Sequence, residues 1–514
     1  MFTLRRSLAL CLLALASADP SALRAGGSNL AVVSTSPSAA TLGADVLDAI
    51  AVTFDRPVDP ASLVTRRSFW AFGRWSGTVS GSFVLSNGDR TVSLVPDRSL
   101  SAGERVMVIL SHDLEGADGT ALRDAGYSFQ FWTSARPASL TFEEVDRWST
   151  RTTPGETSRA YGGIGSDLDG DGYPDIAIVN EDTEDLRVFM NQADGTGTFG
   201  SMLTPTSALG TQASPSEPSD FDRDGEVDIA VANPQDSTVS ILLGQGDGSF
   251  GSQQLLPVAA TPRGIAVLDA DGDGDVDIAV ASTGASALTL FVNDGSGAFA
   301  PSAGGTFGTG TAGEWALAAV DLDEDGLLDL VDGGRNDERL HVHLGNGDGT
   351  FSAAGSQDAG GRVWMLATGD VNGDGHEDVA GVNSNDNNGA ILLGNGAGAL
   401  AAPTTYATDP FPLAVDLGDL DGDGDLDWMT SSFSGDWFLF TNDGTGTFTF
   451  DQEFLAPRAA SCSLLLDVDR DGDLDLALVD ELEDEVIVLV QGAVLFADGF
   501  EGGDTGAWSA SVPE

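Results

Sequence analysis

The sequence is poor in residues on which many scaffolds and active sites depend. Its 514 residues include two cysteines, four histidines and no lysine, so all 23 basic residues are arginine. Cys11 lies in the N-terminal apolar segment, which leaves Cys462 alone in the processed chain and excludes an intrachain disulfide there. The usual catalytic bases are therefore scarce. Beyond that segment, no apolar run approaches the roughly 18 residues of a membrane-spanning helix.

Positively charged residues are also scarce. The chain has 80 acidic residues against 23 basic ones, a formal net charge of −57 and an isoelectric point near 4.1. Nucleic acids and anionic membranes bind basic surfaces, so we expect neither as a partner. The composition instead suits the binding of cations.

Residues 1–18 are typical of a secretory signal peptide. Two arginines precede an apolar stretch from Leu8, and the small residues Ala16–Ala18 form a cleavage site. We therefore expect a secreted protein that is extracellular or lies at the cell surface.

Residues 29–134 predict a β-sandwich. Short apolar runs alternate with Gly, Pro, Asp and Asn, at residues 50–54, 77–85, 91–95, 106–110 and 127–132. Phrases such as Val52–Asp59 and Phe129–Thr133 resemble bacterial Ig-like domains of the surface-layer type, which implies a spacer or adhesive role.

Seven acidic loops of the form Asp-x-Asp/Asn-x-Asp-Gly-x-x-Asp follow at intervals of 48 to 53 residues. They begin at Asp167, Asp220, Asp269, Asp321, Asp370, Asp419 and Asp467. Each repeat also contains short apolar strands and a glycine-rich turn that usually ends in phenylalanine. The pattern predicts a seven-bladed β-propeller over residues 141–496. Residues 141–145 precede the first loop, and we expect them to complete the last blade.

The loops predict about seven structural Ca²⁺ ions. Calcium prefers six to eight oxygen ligands. Positions 1, 3, 5 and 9 offer side-chain oxygens, position 7 offers a backbone carbonyl, and the glycine at position 6 permits the turn. The predicted ligands are Asp167, Asp169, Asp171, Tyr173, Asp175, Asp220, Asp222, Asp224, Glu226, Asp228, Asp269, Asp271, Asp273, Asp275, Asp277, Asp321, Asp323, Asp325, Leu327, Asp329, Asp370, Asn372, Asp374, His376, Asp378, Asp419, Asp421, Asp423, Asp425, Asp427, Asp467, Asp469, Asp471, Asp473 and Asp475.

Two other metal sites are disfavoured. An EF-hand needs a bidentate glutamate three positions past the ninth, and none of the seven loops has one. The flanking segments are apolar and strand-like rather than helical, as in Asp175–Val179. Zinc is disfavoured because no histidine or cysteine side chain is expected among the ligands.

The repeats resemble the FG-GAP/VCBS repeats of integrin-α-like propellers, on the strength of the acidic loop and the Thr-Phe turn. The Phe-Gly pair itself occurs at Phe199-Gly200 and Phe250-Gly251. The resemblance implies that the metals are structural and that function lies on a face of the disc.

A possible ligand ring lies six residues before each loop, where the strand nearest the propeller axis is expected to begin. These positions hold Tyr161, Ser214, Arg263, Trp315, Trp364, Leu413 and Ser461. Tyr161, Arg263, Trp315 and Trp364 are candidates for stacking on a sugar or peptide. The alternative is that these side chains only pack between blades.

We expect a secreted calcium-binding module for binding or adhesion, with an unknown extracellular glycan or protein as its ligand. The alternative is a calcium-dependent polysaccharide lyase or another carbohydrate-active enzyme, because some lyases use similar propellers. No catalytic residue is assigned, and His341 and His343 are expected at the surface. Residues 497–514 are expected to form a C-terminal tail.

Overall fold

A computed structural model describes residues 29–492, except residues 309 and 312. The predicted signal peptide at 1–18, the last residues of the predicted propeller region and the tail at 497–514 lie outside this part. The described residues form an all-β protein, in which one 3₁₀ turn at Pro60–Ser62 is the sole helical element. Within them, no helix has the length and apolar character needed to cross a membrane.

The N-terminal domain is a sandwich of two four-stranded antiparallel sheets, with strand orders β1-β2-β6-β5 and β4-β3-β7-β8. Its strands are β1 (Val32–Ser36), β2 (Ile50–Phe54), β3 (Phe69–Gly73), β4 (Gly77–Thr78), β5 (Gly81–Ser86), β6 (Thr91–Pro96), β7 (Arg105–Leu110) and β8 (Tyr127–Trp132). The core between the sheets includes Val52, Phe69, Val108 and Phe129.

Two features of the sandwich differ from the sequence prediction. The run at 77–85 is two strands in different sheets, because the chain crosses from one sheet to the other between Thr78 and Gly81. Strands β1 and β3 were not predicted. All five residues of β3 are buried, so it lacks the alternation that marks a strand with one solvated face.

The remaining 28 strands form seven four-stranded antiparallel sheets, one for each acidic loop. They are β9 (Phe142–Ser149), β10 (Ala160–Ser166), β11 (Asp175–Asn180), β12 (Asp185–Phe189), β13 (Ser207–Ala208), β14 (Ser216–Ser219), β15 (Asp228–Asn233), β16 (Thr238–Leu242), β17 (Gln254–Pro257), β18 (Pro262–Leu268), β19 (Asp277–Ser282), β20 (Ala287–Asn293), β21 (Phe299–Phe307), β22 (Glu314–Val320), β23 (Asp329–Gly334), β24 (Arg339–Gly345), β25 (Phe351–Asp358), β26 (Val363–Gly369), β27 (Asp378–Asn383), β28 (Asn388–Leu392), β29 (Thr404–Ala407), β30 (Pro412–Gly418), β31 (Asp427–Ser432), β32 (Trp437–Asn442), β33 (Phe448–Phe454), β34 (Ala460–Leu466), β35 (Asp475–Asp480) and β36 (Glu485–Gln491).

The seven sheets close into a ring. The inner strands β10, β14, β18, β22, β26, β30 and β34 contact one another in that order, and β34 contacts β10. Strand β9 completes the last sheet, as expected, by pairing with β36. The predicted all-β fold, an Ig-like domain followed by a propeller, is confirmed.

In each of the seven sheets of the ring, the second strand is buried along its whole length. Asp175–Asn180 and Asp228–Asn233 are examples, and each such strand follows directly on an acidic loop. Neighbouring sheets cover both of its faces, which explains the near-continuous apolar sequence. Each acidic loop is therefore anchored to a strand in the core of the ring.

The sandwich packs against the face of the ring that carries the acidic loops. The Trp70 indole N–H donates to the Gly274 carbonyl at 3.0 Å. The Ser128 amide donates to Gly326 O at 2.9 Å, and the Asp167 amide donates to Trp75 O at 2.8 Å. These contacts reach three different loops, so the sandwich closes this end of the ring.

Candidate metal centres and axial site

Each acidic loop turns around the carboxylate of its first aspartate. In the first loop the Gly172 amide donates to Asp167 Oδ2 at 3.0 Å, and the equivalent bond is present in the other six loops. Gly172 has a φ of +98°, a conformation that side chains disfavour. The sixth-position glycine is thus required by the geometry of the turn.

The second oxygen of this carboxylate is left buried without a hydrogen-bond partner in four loops. The atoms are Asp167 Oδ1, Asp220 Oδ1, Asp419 Oδ1 and Asp467 Oδ1. An unpaired buried carboxylate oxygen is costly. A cation at that position would satisfy it.

The predicted ligands converge within the loops. Donor oxygens of Asp167, Asp169 and Asp175 lie within 4.8 Å of one another, and the corresponding residues of the second loop do the same. In the third and fourth loops the oxygens at positions 1, 3 and 5 converge. Every side-chain donor at these positions is oxygen, the donor type that calcium prefers.

The ninth aspartate of each loop also joins the loop to its sheet. Asp228 accepts from the Phe221 amide at 2.7 Å and from the Gly244 amide at 2.7 Å. Burial raises the pKa of Asp175, Asp228 and Asp427 to about 8. A nearby cation would favour the ionised form of such carboxylates.

Position 7 is chemically variable, with side chains as different as Tyr173, Leu327 and His376. At this position the backbone carbonyl is therefore the one oxygen donor that every loop shares. Some of these side chains have other partners. The His376 ring contacts Glu324, and Asp473 pairs with Arg136 at 2.9 Å.

Arginines of the sandwich, and of the linker at residues 135–139 between the sandwich and the ring, reach the loops directly. Arg98 lies 2.6 Å from Asp167 Oδ2, and Arg136 lies 2.7 Å from Asp471. Docking of the sandwich thus neutralises part of the loop charge.

The inner strands surround an axial cavity of about 260 Å³. The sandwich supplies one end of it, including Arg74, Arg105 and Trp132. The opposite end is lined by Tyr161 and Trp364 among others. Since β26 holds both Trp364 and Thr368, at opposite ends of the cavity, the axial depth is about 13 Å.

Charged groups occur inside this cavity. Arg74 lies 3.5 Å from Glu217, and Arg105 lies 3.4 Å from Glu377. Burial raises the pKa of Asp416 to about 6, while Arg74 acts in the opposite direction. The sandwich therefore contributes two arginines, Arg105 partly buried and Arg74 exposed, to a pocket formed mainly by the ring.

The predicted ligand ring lies at the end of the cavity away from the sandwich, which we call the axial mouth. Six of its seven residues are skipped in the pairing between the first and second strands of their sheets, where the register shifts. They are Tyr161, Arg263, Trp315, Trp364, Leu413 and Ser461. An irregularity of this kind redirects a side chain away from the regular sheet. The sequence period of about fifty residues thus coincides with a repeated structural feature.

The four candidate ligand residues are close together. The rings of Trp315 and Trp364 have centroids 4.4 Å apart, and the Arg263 guanidinium lies 4.8 Å from the Trp315 ring. Burial raises the pKa of the Tyr161 hydroxyl, and Arg263 and Trp364 act on it in the opposite direction. Trp315 is only 8% exposed, whereas Trp364 is half-buried.

Sequence reasoning missed a fifth member of this group. Arg335 follows β23, and its guanidinium lies 4.4 Å from the Trp315 ring and 5.1 Å from the Trp364 ring. It lies 14 residues after the start of its loop, a position that the other repeats fill with different residue types, so its residue type gave no periodic signal. The surface expectation for the two histidines was wrong: His341 and His343 are 7% and 5% exposed and contact Asp337 and Asp332.

The fold and the loops define a class of protein, an Ig-like domain joined to a propeller with acidic loops. The FG-GAP-like repeat model matches residues 167–219, 220–280, 269–331, 333–381 and 370–430, about half of the chain. A bacterial Ig-like domain model matches residues 27–133. The chain belongs to the FG-GAP-like repeat family. No curated protein matches its sequence.

Solved structures with a similar fold are distant in sequence. BBS1N in complex with ARL6DN is 13% identical, with a TM-score of 0.47 over 69% of this chain and 98% of that one. An Agrocybe aegerita lectin that recognises non-reducing terminal N-acetylglucosamine is 17% identical, with a TM-score of 0.42 over 78% and 94%. A functionally unknown protein from Desulfotomaculum acetoxidans is 13% identical, with a TM-score of 0.42 over 62% and 95%.

Proposed function

We propose that this protein is a secreted, calcium-binding, seven-bladed propeller that binds an extracellular glycan or protein at its axial mouth. The observation that carries the calcium assignment is the buried, unpartnered Oδ1 atom of Asp167, Asp220, Asp419 and Asp467. The oxygen-only donor sets support the same metal.

Calcium in these loops would be structural. The loops lie where the sandwich packs, and their ninth aspartates are buried in the ring. Binding to the folded state alone stabilises it by RT ln(1 + [Ca²⁺]/Kd), about 2.7 kcal/mol per site at a hundredfold excess over Kd. The ligand would therefore bind elsewhere, and the axial mouth is the end of the cavity that the sandwich leaves uncovered.

Two measurements test the proposal. Elemental analysis of the purified protein should detect several calcium ions per chain, and chelation should remove them and lower Tm. A glycan array and an extracellular protein pull-down should then yield a ligand whose binding is weakened by Trp364→Ala. Absence of calcium refutes the metal assignment, and a ligand insensitive to this substitution refutes the placement of the site.

Secretion is supported by the pattern of residues 1–18 and is tested separately. Export of the full-length chain, and its loss when these residues are deleted, should be visible by immunoblotting of cell and medium fractions.

A further inference from the structure

The axial mouth holds two arginines that form no ion pair with a carboxylate of the described residues, in a chain whose formal charge is −57. Within the described part of the chain, the guanidiniums of Arg263 and Arg335 make no hydrogen bond and no ion pair; their close contacts are with tryptophan rings. The Nε atom of Arg263 is buried without a hydrogen-bond partner. The terminal N–H groups of the two guanidiniums therefore have no hydrogen-bond partner within these residues.

The tryptophans hold the two guanidiniums in place. Both lie over the Trp315 ring, at 4.8 and 4.4 Å from its centroid, and Arg335 also lies over Trp364. Such contacts use the faces of the guanidiniums and leave their edges free to form paired hydrogen bonds. Because Trp315 is covered in this way, it serves to position the arginines rather than to stack on a ligand.

The arrangement concentrates positive charge, which the buried Glu181 carboxylate offsets only in part through its electrostatic interaction with Arg263. Burial lowers the pKa of Arg335, and the neighbouring charges of Arg263 and Arg362 act in the same direction. Arg362 has a partner in Glu338 at 3.5 Å, whereas the other two have none in the described residues. Like charges at close range repel each other, and a bound anion would relieve this repulsion.

The rest of the mouth suits a sugar ring. Trp364 is half-buried, and Phe411 contacts it with ring centroids 5.3 Å apart. Tyr161, from the first sheet, adds an aromatic ring and a hydroxyl at the end of the same cavity. Flat apolar faces beside hydroxyl and guanidinium donors match the alternating apolar and polar surfaces of a saccharide.

We infer that the axial mouth binds the carboxylate of an acidic sugar, held by the guanidiniums of Arg263 and Arg335, with the sugar ring against Trp364 and Tyr161. This rests on the proposed function of the mouth as a ligand site, and it specifies the chemical class of the ligand. Arginine binds carboxylates through two parallel hydrogen bonds, which gives both charge and geometry to the recognition. The acidic surface elsewhere favours a short or terminal acidic sugar over a long polyanion.

The test is calorimetric titration of the full-length protein in calcium buffer. The probes are trigalacturonate and a hyaluronan tetrasaccharide, each beside its methyl ester, which keeps the rings and removes the charge. Triglycine serves as a peptide carboxylate. The variants are Arg263→Gln, Arg335→Gln and the double substitution. Arg339→Gln is the matched control, since Arg339 is on β24, which pairs with the strand that precedes Arg335, and its guanidinium donates hydrogen bonds to Ser356.

At least one acidic oligosaccharide should bind about tenfold or more tightly than its ester, because only the free carboxylate accepts charge-assisted hydrogen bonds from the guanidiniums. Each mouth variant should abolish this preference while keeping its Tm and calcium content, and the control variant should retain it. Equal binding of acid and ester, equal binding by the mouth variants, preference for triglycine, or no binding of either acid would each overturn the inference. If the wider screen finds a neutral ligand at the mouth, the proposed function stands and the carboxylate assignment fails.

Discussion

The two ends of the inner strands differ in charge, burial and contacts. At one end, seven acidic loops lie beneath the sandwich and place aspartates in the interior. At the other end, two arginines lie over tryptophans and form no ion pair within the described residues. The acidic motif that dominates the sequence therefore lies at the end that the sandwich covers. The proposed ligand site lies at the uncovered end, where equivalent positions hold different residue types from repeat to repeat.

Removal of calcium should have the largest effect, because it acts on all seven loops together. Each site should contribute about 2.7 kcal/mol at a hundredfold excess of calcium, so chelation should lower Tm markedly. Differential scanning calorimetry with calcium, with EGTA and with calcium restored measures this. The Arg335→Gln variant should show the same drop, because its substitution lies at the other end of the ring. An unchanged Tm after proven metal removal would contradict a structural role for the loops.

Arg105→Met should destabilise the protein by about 3–5 kcal/mol, because it leaves the buried Glu377 carboxylate without its partner. Urea unfolding in calcium buffer measures the change. Arg67→Met is the control: its pair with Asp113 at 3.0 Å is exposed and should contribute about 1 kcal/mol or less.

Adding Glu377→Gln to Arg105→Met should recover part of the loss, because the unpaired charge is then absent. If the two arginine variants lose equal stability, the sandwich is not held to the ring by this buried pair.

The loops, the period and the closing strand β9 were predictable because each depends on local chemistry: carboxylate spacing, glycine in a turn, and short apolar strands. Positions such as Arg263 and Trp364 were found for the same reason, since each lies six residues before an acidic loop in the sequence. Docking of the sandwich was not predictable. Trp70 and Gly274 are 204 residues apart and meet only through tertiary packing. Arg335 was missed because only the folded ring brings it to Trp315.

The pH dependence of stability should reveal Asp416, a carboxyl group in the cavity between the two ends. Burial raises its pKa to about 6, so the folded state binds this proton more tightly than the unfolded chain does. Its contribution is therefore present at low pH and is lost as pH rises from the ordinary value of 3.8 through about 6. The total change is at most about 3 kcal/mol.

Comparison with Asp416→Asn isolates this effect. Urea unfolding in excess calcium between pH 5 and pH 8 should show the wild type losing stability relative to the variant, mainly below about pH 7. A constant difference across this range would show that Asp416 does not titrate in the folded protein.

The smallest expected effect is a difference in stability between equivalent substitutions in the third and fifth acidic loops. Asp269 and Asp370 occupy the same position; within its own loop Asp269 accepts two amide hydrogen bonds and Asp370 accepts four. The glycines of the third loop pack against the sandwich, whereas a side chain added at Gly375 of the fifth loop would meet open space. Substitution by Asn should remove one calcium in each case. Asp269→Asn should cost about 1 kcal/mol more, because it also loosens the hydrogen bonds from Trp70 to Gly274 and from the His112 amide to Gly272.

Calorimetry and limited proteolysis of the 135–139 linker measure this difference. Faster cleavage in Asp269→Asn than in Asp370→Asn would show that the third loop ties calcium binding to docking of the sandwich. Equal Tm values and equal cleavage rates would show that the sandwich stays docked whether or not the third loop holds calcium, so that the covered end of the ring depends on packing rather than on metal.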